Sequence, residues 1–353
     1  MTPRLGGYLA SGAAALALVL AGCSAGDPQP APTTTVAPSV LAEAKGDPPD
    51  PDVPIVWPLT GEPTEKVAER PALAVKIENS PQARPQTGLE DADMVWEEVV
   101  EGGITRFVAV FHSTVPDAVE PVRSVRPMDP AIAAPLDGIL AYSGAQQPFI
   151  QDVAAAGVQS VIMDAGDAGF HRDPGRFAPH DVVGDPQTFL DQADGERTVP
   201  PPAQFAFARS AARSTVVTDG KAAGSVDVVM SPAQTSGWDW DEESGTWLRS
   251  EGSSESVSTS GARHAATNVV VLDVDVVDTS YRDASGAAVP ETQLVASGSG
   301  LVASGGSVLE VEWSKESLQD PVVLTAGGEP VELAPGNTWI ELVPRGSGSW
   351  STS

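Results

Sequence analysis

Cysteine is almost absent from this chain, since Cys23 is the only one among 353 residues. A single thiol cannot form an internal disulfide, so the fold must depend on the packing of its core. A hydrophobic content of 41% is sufficient for a sizeable core. The length indicates two domains after an N-terminal tail.

Basic residues are also scarce. The chain has 20 Lys and Arg against 48 Asp and Glu, which gives a formal net charge of −28 at pH 7. Nucleic acids bind to basic surfaces, which this balance disfavours, so we expect no nucleic-acid partner. Solubility alone is a sufficient explanation for the acidic side chains.

Long hydrophobic runs are missing as well, and the longest lies near the N-terminus. It extends from about Tyr8 to Leu20, which is too short to span a bilayer but typical of an export signal. It leads to the tetrad Leu20-Ala21-Gly22-Cys23, which resembles a bacterial lipobox. We therefore predict a signal peptide at residues 1–22 and acyl chains, such as palmitate, on Cys23. The alternative is a soluble export signal that ends in Cys by chance.

The predicted lipid determines the predicted location. More than one acyl chain gives a stable membrane anchor, so we expect the protein at the extracytoplasmic face of the cell membrane. Residues 23–55 are rich in Pro, Ala, Thr and Asp, which predicts a disordered, extended tether between the lipid and the folded part.

The remaining sequence divides into two parts at the Pro-rich stretch 198–202. Residues 56–198 alternate strand-like and short helical patterns, which predicts an N-terminal α/β domain. Residues 203–346 contain short strand-like runs between Gly, Ser, Asp and Pro, which predicts a β-rich antiparallel C-terminal domain. Five Trp residues of this part could form a carbohydrate platform or pack in the core: Trp238, Trp240, Trp247, Trp313 and Trp339.

The most constrained stretch is a predicted hairpin in the first domain. Met94 to Glu101 and Ile104 to Ser113 are rich in Val, Phe, Ile and Trp, and Gly102-Gly103 between them predicts a two-residue turn. Both faces of this hairpin are mainly apolar, which indicates a sheet that is covered on two sides. We therefore predict the α+β class, with a layered sandwich around a two-sided buried β-sheet.

The two-residue turn also predicts which charged side chains meet. It places Glu97, Glu101 and Arg106 on one face of the hairpin and Glu98 on the other. Charges inside a covered sheet must be paired, so we expect Arg106 to form an ion-pair group with Glu97 and Glu101. That group is either an internal structural bridge or the wall of a ligand cleft.

The segment from Asp164 to Asp185 is punctuated by Gly and Pro, which predicts a long loop. It contains His171, His180 and five Asp residues, but their spacing fits no recognised metal motif, so we expect no metal site. We also expect no cofactor.

The chain resembles the YerB-like bacterial lipoproteins. The stretches that carry the resemblance cover nearly all residues from Trp57 to Pro344: RPALAVKIENSPQARPQTGLEDADMVWE, VEGGITRFVAVF, EPVRSVRP, FHRDPGRFAPHD, DEESGTWLRS and APGNTWIELVP. The resemblance implies an α+β layered sandwich, lipid anchorage outside the cytoplasmic membrane, and no established activity.

The resemblance also implies which positions belong to the family's motifs. Besides Gly102, Gly103 and Thr105, these are nine candidate binding residues: Arg84, Glu97, Glu101, Arg106, Arg123, Arg126, Arg172, Arg176 and His180. Where family members typically have Pro-His-Asn, this chain has Pro179-His180-Asp181. This difference weakens any role for a neutral amide at position 181.

Three functions are compatible with these residues. We expect a non-catalytic binding protein in which Arg84, Arg123, Arg126 and His180 line one cleft for an anionic cell-wall fragment or an envelope protein. A second hypothesis is a hydrolase of a cell-wall polymer that uses Glu97, Glu98, Glu101 or His180. Arg106 would lower the pKa of Glu97 and Glu101, which disfavours a general acid. The third is a scaffold whose acidic second domain docks envelope proteins.

Overall fold

The computed structural model describes residues 53–283 and 285–353. The predicted signal peptide, the lipidation site Cys23 and the predicted tether up to residue 52 lie outside these residues. Four α-helices are present in the described part: α1 (Asp129–Ala133), α2 (Gln147–Ala155), α3 (Pro186–Leu190) and α4 (Thr215–Asp219). None of the described helices has the length and apolarity needed to cross a bilayer.

The described part is mostly β. The strands before residue 200 are β1 (Leu73–Glu78), β2 (Met94–Val99), β3 (Thr105–Phe111), β4 (Ile139–Tyr142), β5 (Gln159–Ile162), β6 (Phe170–Arg172) and β7 (Val182–Gly184). The segment 164–185 therefore contains the antiparallel pair β6 and β7 and is not the continuous loop that its Gly and Pro residues predicted.

The part after residue 200 is β-rich, as predicted. Its strands are β8 (Ala206–Phe207), β9 (Lys221–Ala222), β10 (Ser225–Ser231), β11 (Gln234–Asp241), β12 (Thr246–Glu251), β13 (Ser254–Glu255), β14 (Ala265–Ala266), β15 (Asn268–Arg282), β16 (Ala288–Gln293), β17 (Ser297–Ser304), β18 (Ser307–Ser314), β19 (Val323–Ala326), β20 (Glu329–Pro330), β21 (Glu332–Leu333), β22 (Thr338–Pro344) and β23 (Ser349–Thr352).

One large sheet dominates the molecule. Its strand order is β20-β19-β18-β17-β15-β22-β2-β3-β1-β4-β5, with β16 beside β15 and β9 beside β18. At its centre β22 pairs in parallel with both β15 and β2, so strands from both sides of the predicted boundary belong to the same sheet. The domain boundary at residues 198–202 stays a prediction. A second sheet has the order β13-β12-β11-β10-β23, with β14 beside β12.

Both faces of the large sheet are covered around β1, β2 and β3, in which every residue is buried. Even-numbered side chains such as Val108 pack in one apolar cluster together with residues of α1 and α2, for example Ile132 and Phe149. Odd-numbered side chains such as Phe107 pack in another with α3 and the second sheet, for example Trp238. We call the side of the large sheet with the even-numbered side chains the helix face, and the side with the odd-numbered side chains the sheet face. The assignment to an α+β sandwich class stays a prediction.

The tryptophans of the second half are core residues. Trp238 and Trp247 are fully buried, and Trp313 and Trp339 nearly so, while Trp240 is partly exposed. The carbohydrate platform is therefore wrong as an explanation of these five residues, and core packing is correct.

Candidate functional site

The turn between β2 and β3 is longer than predicted. A 3-10 turn spans Glu101–Gly103, and Val100 N donates to Ile104 O at 2.8 Å. Gly102 and Gly103 both have a φ of 73°, in the left-handed region that glycine enters without a side-chain clash. The turn thus contains three residues instead of two.

This extra residue changes the register of the hairpin. Glu98 lies opposite Arg106, and Glu97 lies opposite Phe107. Because the side-chain period of a strand is two, a shift of one residue moves every side chain of β2 to the other face. The predicted group of Arg106, Glu97 and Glu101 is therefore wrong: Glu97 points to the sheet face and Arg106 to the helix face.

On the sheet face, Glu97 belongs to what we call the Arg249 cluster, which consists of Arg249, Glu97, Glu251 and Glu341. Arg249 Nη2 lies 2.6 Å from Glu97 Oε2 and 3.0 Å from Glu251 Oε1, and Nη1 lies 2.9 Å from Glu341 Oε1. Arg249, Glu97 and Glu341 are fully buried. The cluster joins β2, β22 and the second sheet through a single guanidinium group.

Aromatic rings surround this guanidinium. Its central carbon lies 5.4 Å from the ring centre of Phe107, 5.3 Å from that of Trp238 and 5.0 Å from that of Trp339. Cation–π contacts of this kind strengthen when water is excluded. Burial lowers the pKa of Arg249, but Glu251, Glu97 and Glu341 together raise it above its ordinary value. Arg249 therefore stays charged.

Glu97, in contrast to Arg249, is shifted towards its uncharged form. Burial raises its pKa to about 7, although Arg249 acts to lower it, and the Glu341 carboxylate raises it further. The predicted lowering of this pKa by Arg106 is wrong, because Arg106 lies on the other face. Thr105 Oγ1 and Asn79 Nδ2 donate to Glu97 Oε1 at 2.5 Å and 3.1 Å.

Arg84 lies at the edge of the Arg249 cluster. Its Nη2 lies 2.9 Å from Glu251 Oε2 and donates to Gln234 Oε1 at 2.9 Å. It also donates to the Asn79 backbone oxygen at 2.8 Å. None of these contacts joins Arg84 to Arg123, Arg126 or His180, and the single cleft of these four residues stays a prediction.

On the helix face, Lys76 is the centre of a fully buried trio. Its Nζ contacts Glu98 Oε1 and lies 2.8 Å from Asp129 Oδ1. All three side chains have no exposed area. Burial and Asp129 raise the pKa of Glu98 to about 7, while Lys76 acts to lower it.

Beside this trio lies what we call the arginine patch: Arg106, Arg123, Arg126 and His180. Arg123 Nε and His180 Nδ1 approach the same oxygen, Glu78 Oε2, at 3.1 Å and 2.9 Å. Arg126 Nε lies 2.6 Å from Glu101 Oε1. The side chains of Arg123, Arg126 and His180 are 22%, 12% and 23% exposed, so all three reach the surface.

Arg106 lies beneath these three side chains and is only 5% exposed. Its Nη1 donates to Ser124 O at 2.6 Å. Burial, Arg126 and Arg123 lower its pKa to about 9, whereas Glu101 and Glu78 act to raise it.

Local backbone pairing explains why these side chains meet. Ile77 at the end of β1 forms a bridge with Val122, and Arg123 N donates to Lys76 O at 2.8 Å. Ser143 N, directly after β4, donates to Arg123 O at 3.0 Å. The segment PVRSVRP therefore lies across the carboxyl ends of the parallel strands β1 and β4. Strand β4 also pairs in parallel with β5.

The remaining two candidates hold the 172–181 segment in place. Arg176 Nη1 donates to Ala83 O at 2.8 Å, and its Nε lies 3.4 Å from Glu120 Oε1. Arg172 is half exposed and lies 2.6 Å from Asp181, the residue at which the chain departs from the family's motif. The carboxylate at 181 thus pairs with an arginine.

The sequence analysis missed several chemically important residues, among them Arg249, Glu341 and Lys76. A signal for Arg249 exists in the sequence, since the alternation along β12 places it on the same buried side as Trp247 and Glu251. Glu341 and Lys76 lie in strands that are buried at every position, where no alternation distinguishes inward from outward residues.

The carboxylates named for the hydrolase hypothesis do not form an accessible pair. Glu97 and Glu98 are fully buried on opposite faces, and Glu101 is paired with Arg126. His180 contacts Glu78, which is 1% exposed. Within residues 53–283 and 285–353, no group of three or more His, Cys, Asp and Glu side chains is arranged to hold a metal ion.

Comparison with known families gives two matches. Residues 59–199 match the N-terminal domain, and residues 226–340 the C-terminal domain, of a family described as "Protein of unknown function (DUF3048)". Together these two segments span more than half of the chain.

A relative and a solved structure agree with this match. The chain is 28% identical over 313 residues to the Bacillus subtilis (strain 168) protein named "Putative lipoprotein YerB", which covers 86% of this chain and 91% of the relative. The crystal structure of YerB protein from Bacillus subtilis has a TM-score of 0.72 and 26% sequence identity, and the similarity covers 84% of this chain and 99% of that one.

Proposed function

Because the chain belongs to the DUF3048 family, whose function is unknown, we propose that it is a lipid-anchored protein of the cell envelope that binds an anionic envelope component through the arginine patch. The lipid anchor is Cys23, and the similarity to a protein named as a lipoprotein supports it. Binding, and not catalysis, is the role of the patch.

Arg106 is the observation that carries this proposal. It is buried, yet its guanidinium forms no ion pair with any carboxylate of residues 53–283 and 285–353, and its Nε has no hydrogen-bond partner there. The lowered pKa of about 9 reflects burial first and then repulsion from Arg126 and Arg123. A buried cation without a carboxylate costs free energy, and a bound anion would remove that cost.

The charges around Arg106 favour an anionic ligand. Three guanidinium groups face the two carboxylates of Glu78 and Glu101, which leaves one positive charge in excess before His180 is counted. The Lys76 trio lies deeper, has no exposed area, and adds no net charge while Glu98, whose pKa burial raises to about 7, holds its proton. Guanidinium groups bind carboxylate and phosphate through parallel hydrogen bonds, so both ligand classes fit the patch.

The position of the patch in the fold is also favourable. It lies at the carboxyl ends of the parallel strands β1 and β4, where ligands of open parallel sheets commonly bind. The position of ligand sites in other folds therefore supports a ligand site at the patch.

Thermal unfolding of the full chain in detergent micelles tests the proposal. We expect inorganic phosphate or a glycerol-phosphate oligomer to raise the Tm of the wild type by roughly 2 °C or more. The double substitution Arg123→Gln and Arg126→Gln should remove this shift, because it takes away two of the three guanidinium groups of the patch, and a cooperative unfolding transition without ligand shows that the variant is folded. Arg345→Gln, which removes a half-exposed arginine paired with Asp273, is the matched control and should keep the shift.

Two results would contradict the proposal. One is a wild-type Tm that is unchanged by phosphate, by the glycerol-phosphate oligomer and by acetate, which represents the carboxylate class. The other is a double variant that responds as strongly as the Arg345→Gln control. In fractionated cells, Cys23→Ser should move the chain from the membrane fraction to the soluble fraction if Cys23 carries the lipid.

A further inference from the structure

A cavity lies on the sheet face, outside the arginine patch. It has a volume of about 310 Å³ and lies between the 81–86 segment and the 251–257 segment. Arg84 and Glu251 form its charged part, and Pro81, Pro85 and Val257 form its apolar part. Strand β13, which ends one side of the second sheet, contributes Ser254 to its wall.

Arg84 presents a free donor to this cavity. Its Nε donates to Asn79 Oδ1 at 3.0 Å, and its Nη2 is held by Asn79, Gln234 and Glu251. Its Nη1 has no partner among residues 53–283 and 285–353, and the side chain is 24% exposed. These four contacts fix the guanidinium in place, and the remaining nitrogen is available to an acceptor in the cavity.

The other charges restrict which acceptor can bind. Glu251 already accepts from Arg84 and Arg249, and Glu255 at the rim is 73% exposed and lies 2.7 Å from Arg263. The two carboxylates beside the site repel a doubly charged phosphate more strongly than they repel a ligand with one carboxylate. A monocarboxylate attached to a small apolar group matches both the free donor and the apolar wall.

The strand at the wall indicates a peptide. β13 pairs with β12 on one side only, and it is the end strand in the order of the second sheet. End strands carry unpaired backbone groups to which an extended peptide can add. We propose that this cavity binds the carboxyl terminus of a short peptide, with the terminal carboxylate on Arg84 Nη1 and the last side chain against Pro81, Pro85 and Val257.

Fluorescence anisotropy of the full chain in detergent micelles tests this site. The probes are Ala-Ala-Ala peptides labelled at the N-terminus, one with a free carboxyl terminus and one with an amide cap. We expect the free acid to bind roughly tenfold more tightly than the amide, because only the carboxylate forms a charged hydrogen bond with Arg84. Arg84→Gln should reduce the affinity of the acid to that of the amide, and Arg345→Gln should leave it unchanged.

A second pair of variants does not depend on the fold tolerating the loss of Arg84. Ser254 is exposed, so Ser254→Trp fills the cavity without disturbing the core, and Ser254→Ala is its control. We expect Ser254→Trp to abolish binding of the acid and Ser254→Ala to preserve it. The proposal is overturned if neither peptide binds at millimolar concentration, if acid and amide bind equally, or if Ser254→Trp binds like the wild type.

Discussion

Glu97 and Glu98 are neighbours in the chain, but they point to opposite faces of the sheet and have different partners. Glu97 contacts Arg249 from the second sheet, and Glu98 contacts Lys76 from the adjacent part of the same sheet. Burial raises the pKa of each to about 7. Each residue therefore holds its proton at pH values where the unfolded chain has already released it.

The protonation of Glu98 leads to a pH-dependent stability. Between pH 4.5 and about 7 the folded state binds the proton and the unfolded state does not, so the free energy of unfolding falls as the pH rises through this window. Over the whole window the free energy of unfolding falls by about 3 kcal/mol, since a pKa difference of one between the folded and unfolded states corresponds to about 1.4 kcal/mol. In Glu98→Gln this contribution is absent, and Lys76 keeps its contact with Asp129.

Urea unfolding at pH 5, 6, 7 and 8 checks this prediction. His264, whose pKa burial lowers to about 4, adds stability as the pH rises from 4 to 6.5, but it does so in wild type and variant alike. The difference between the two proteins therefore isolates Glu98. Parallel curves for wild type and Glu98→Gln would show that the proton is not held there.

At the scale of the elements, the turn Glu101–Gly103 sets the register of the hairpin and therefore decides which charges meet. Gly102 and Gly103 have the same φ, but their surroundings differ. A Cβ on Gly102 would contact nothing within 4 Å, whereas one on Gly103 would lie 3.0 Å from Ser231 Oγ.

We expect Gly102→Ala to reduce the free energy of unfolding by about 1 kcal/mol, from the left-handed conformation alone. Gly103→Ala should cost more, because it adds the contact with Ser231 to the same conformational strain. Chemical denaturation of the two variants under identical conditions measures the difference. Equal losses would mean that the Ser231 side chain moves away without cost.

The sequence predicted the elements of this region well but not their pairing. β2 and β3 lie within two residues of their predicted positions, because their apolar patterns and the Gly residues between them are local signals. The register was not predictable, since strands that are apolar on both faces keep the same pattern after a shift of one residue. Gly-Gly permits both the two-residue and the three-residue turn.

The candidate site was predictable only in part. The resemblance to the family pointed to the arginines of PVRSVRP and to His180; Arg123 and Arg126 lie near Arg106, and His180 shares Glu78 with Arg123. The parallel pairing of β2 with β22 has no local signal, because the two strands are far apart in the sequence. Without that pairing, neither Glu341 nor Arg249 could be placed beside Glu97.

At the scale of the whole molecule, the Arg249 cluster connects the large sheet to the second sheet. Removal of Arg249 leaves Glu97, Glu251 and Glu341 close together without their common cation. We expect Arg249→Met to lower the free energy of unfolding by about 3–5 kcal/mol, as for other buried ion pairs that lose one partner.

Arg345→Met is the matched control for this substitution. Arg345 is 41% exposed and pairs with Asp273 and Asp275, so its loss should cost less than about 1 kcal/mol. Denaturant unfolding of both variants gives the comparison. Similar small losses would mean that the aromatic rings around Arg249, and not its charge, hold the two sheets together.

The central position of β22 also has a consequence for the synthesis of the protein. This strand lies between β15 and β2, but it is made after both of them. A copy that stops before residue 338 leaves β15 and β2 with unpaired edges in the middle of the sheet, where they favour aggregation and attack by proteases. The two parts of the large sheet can therefore join only after residues 338–344 have been made.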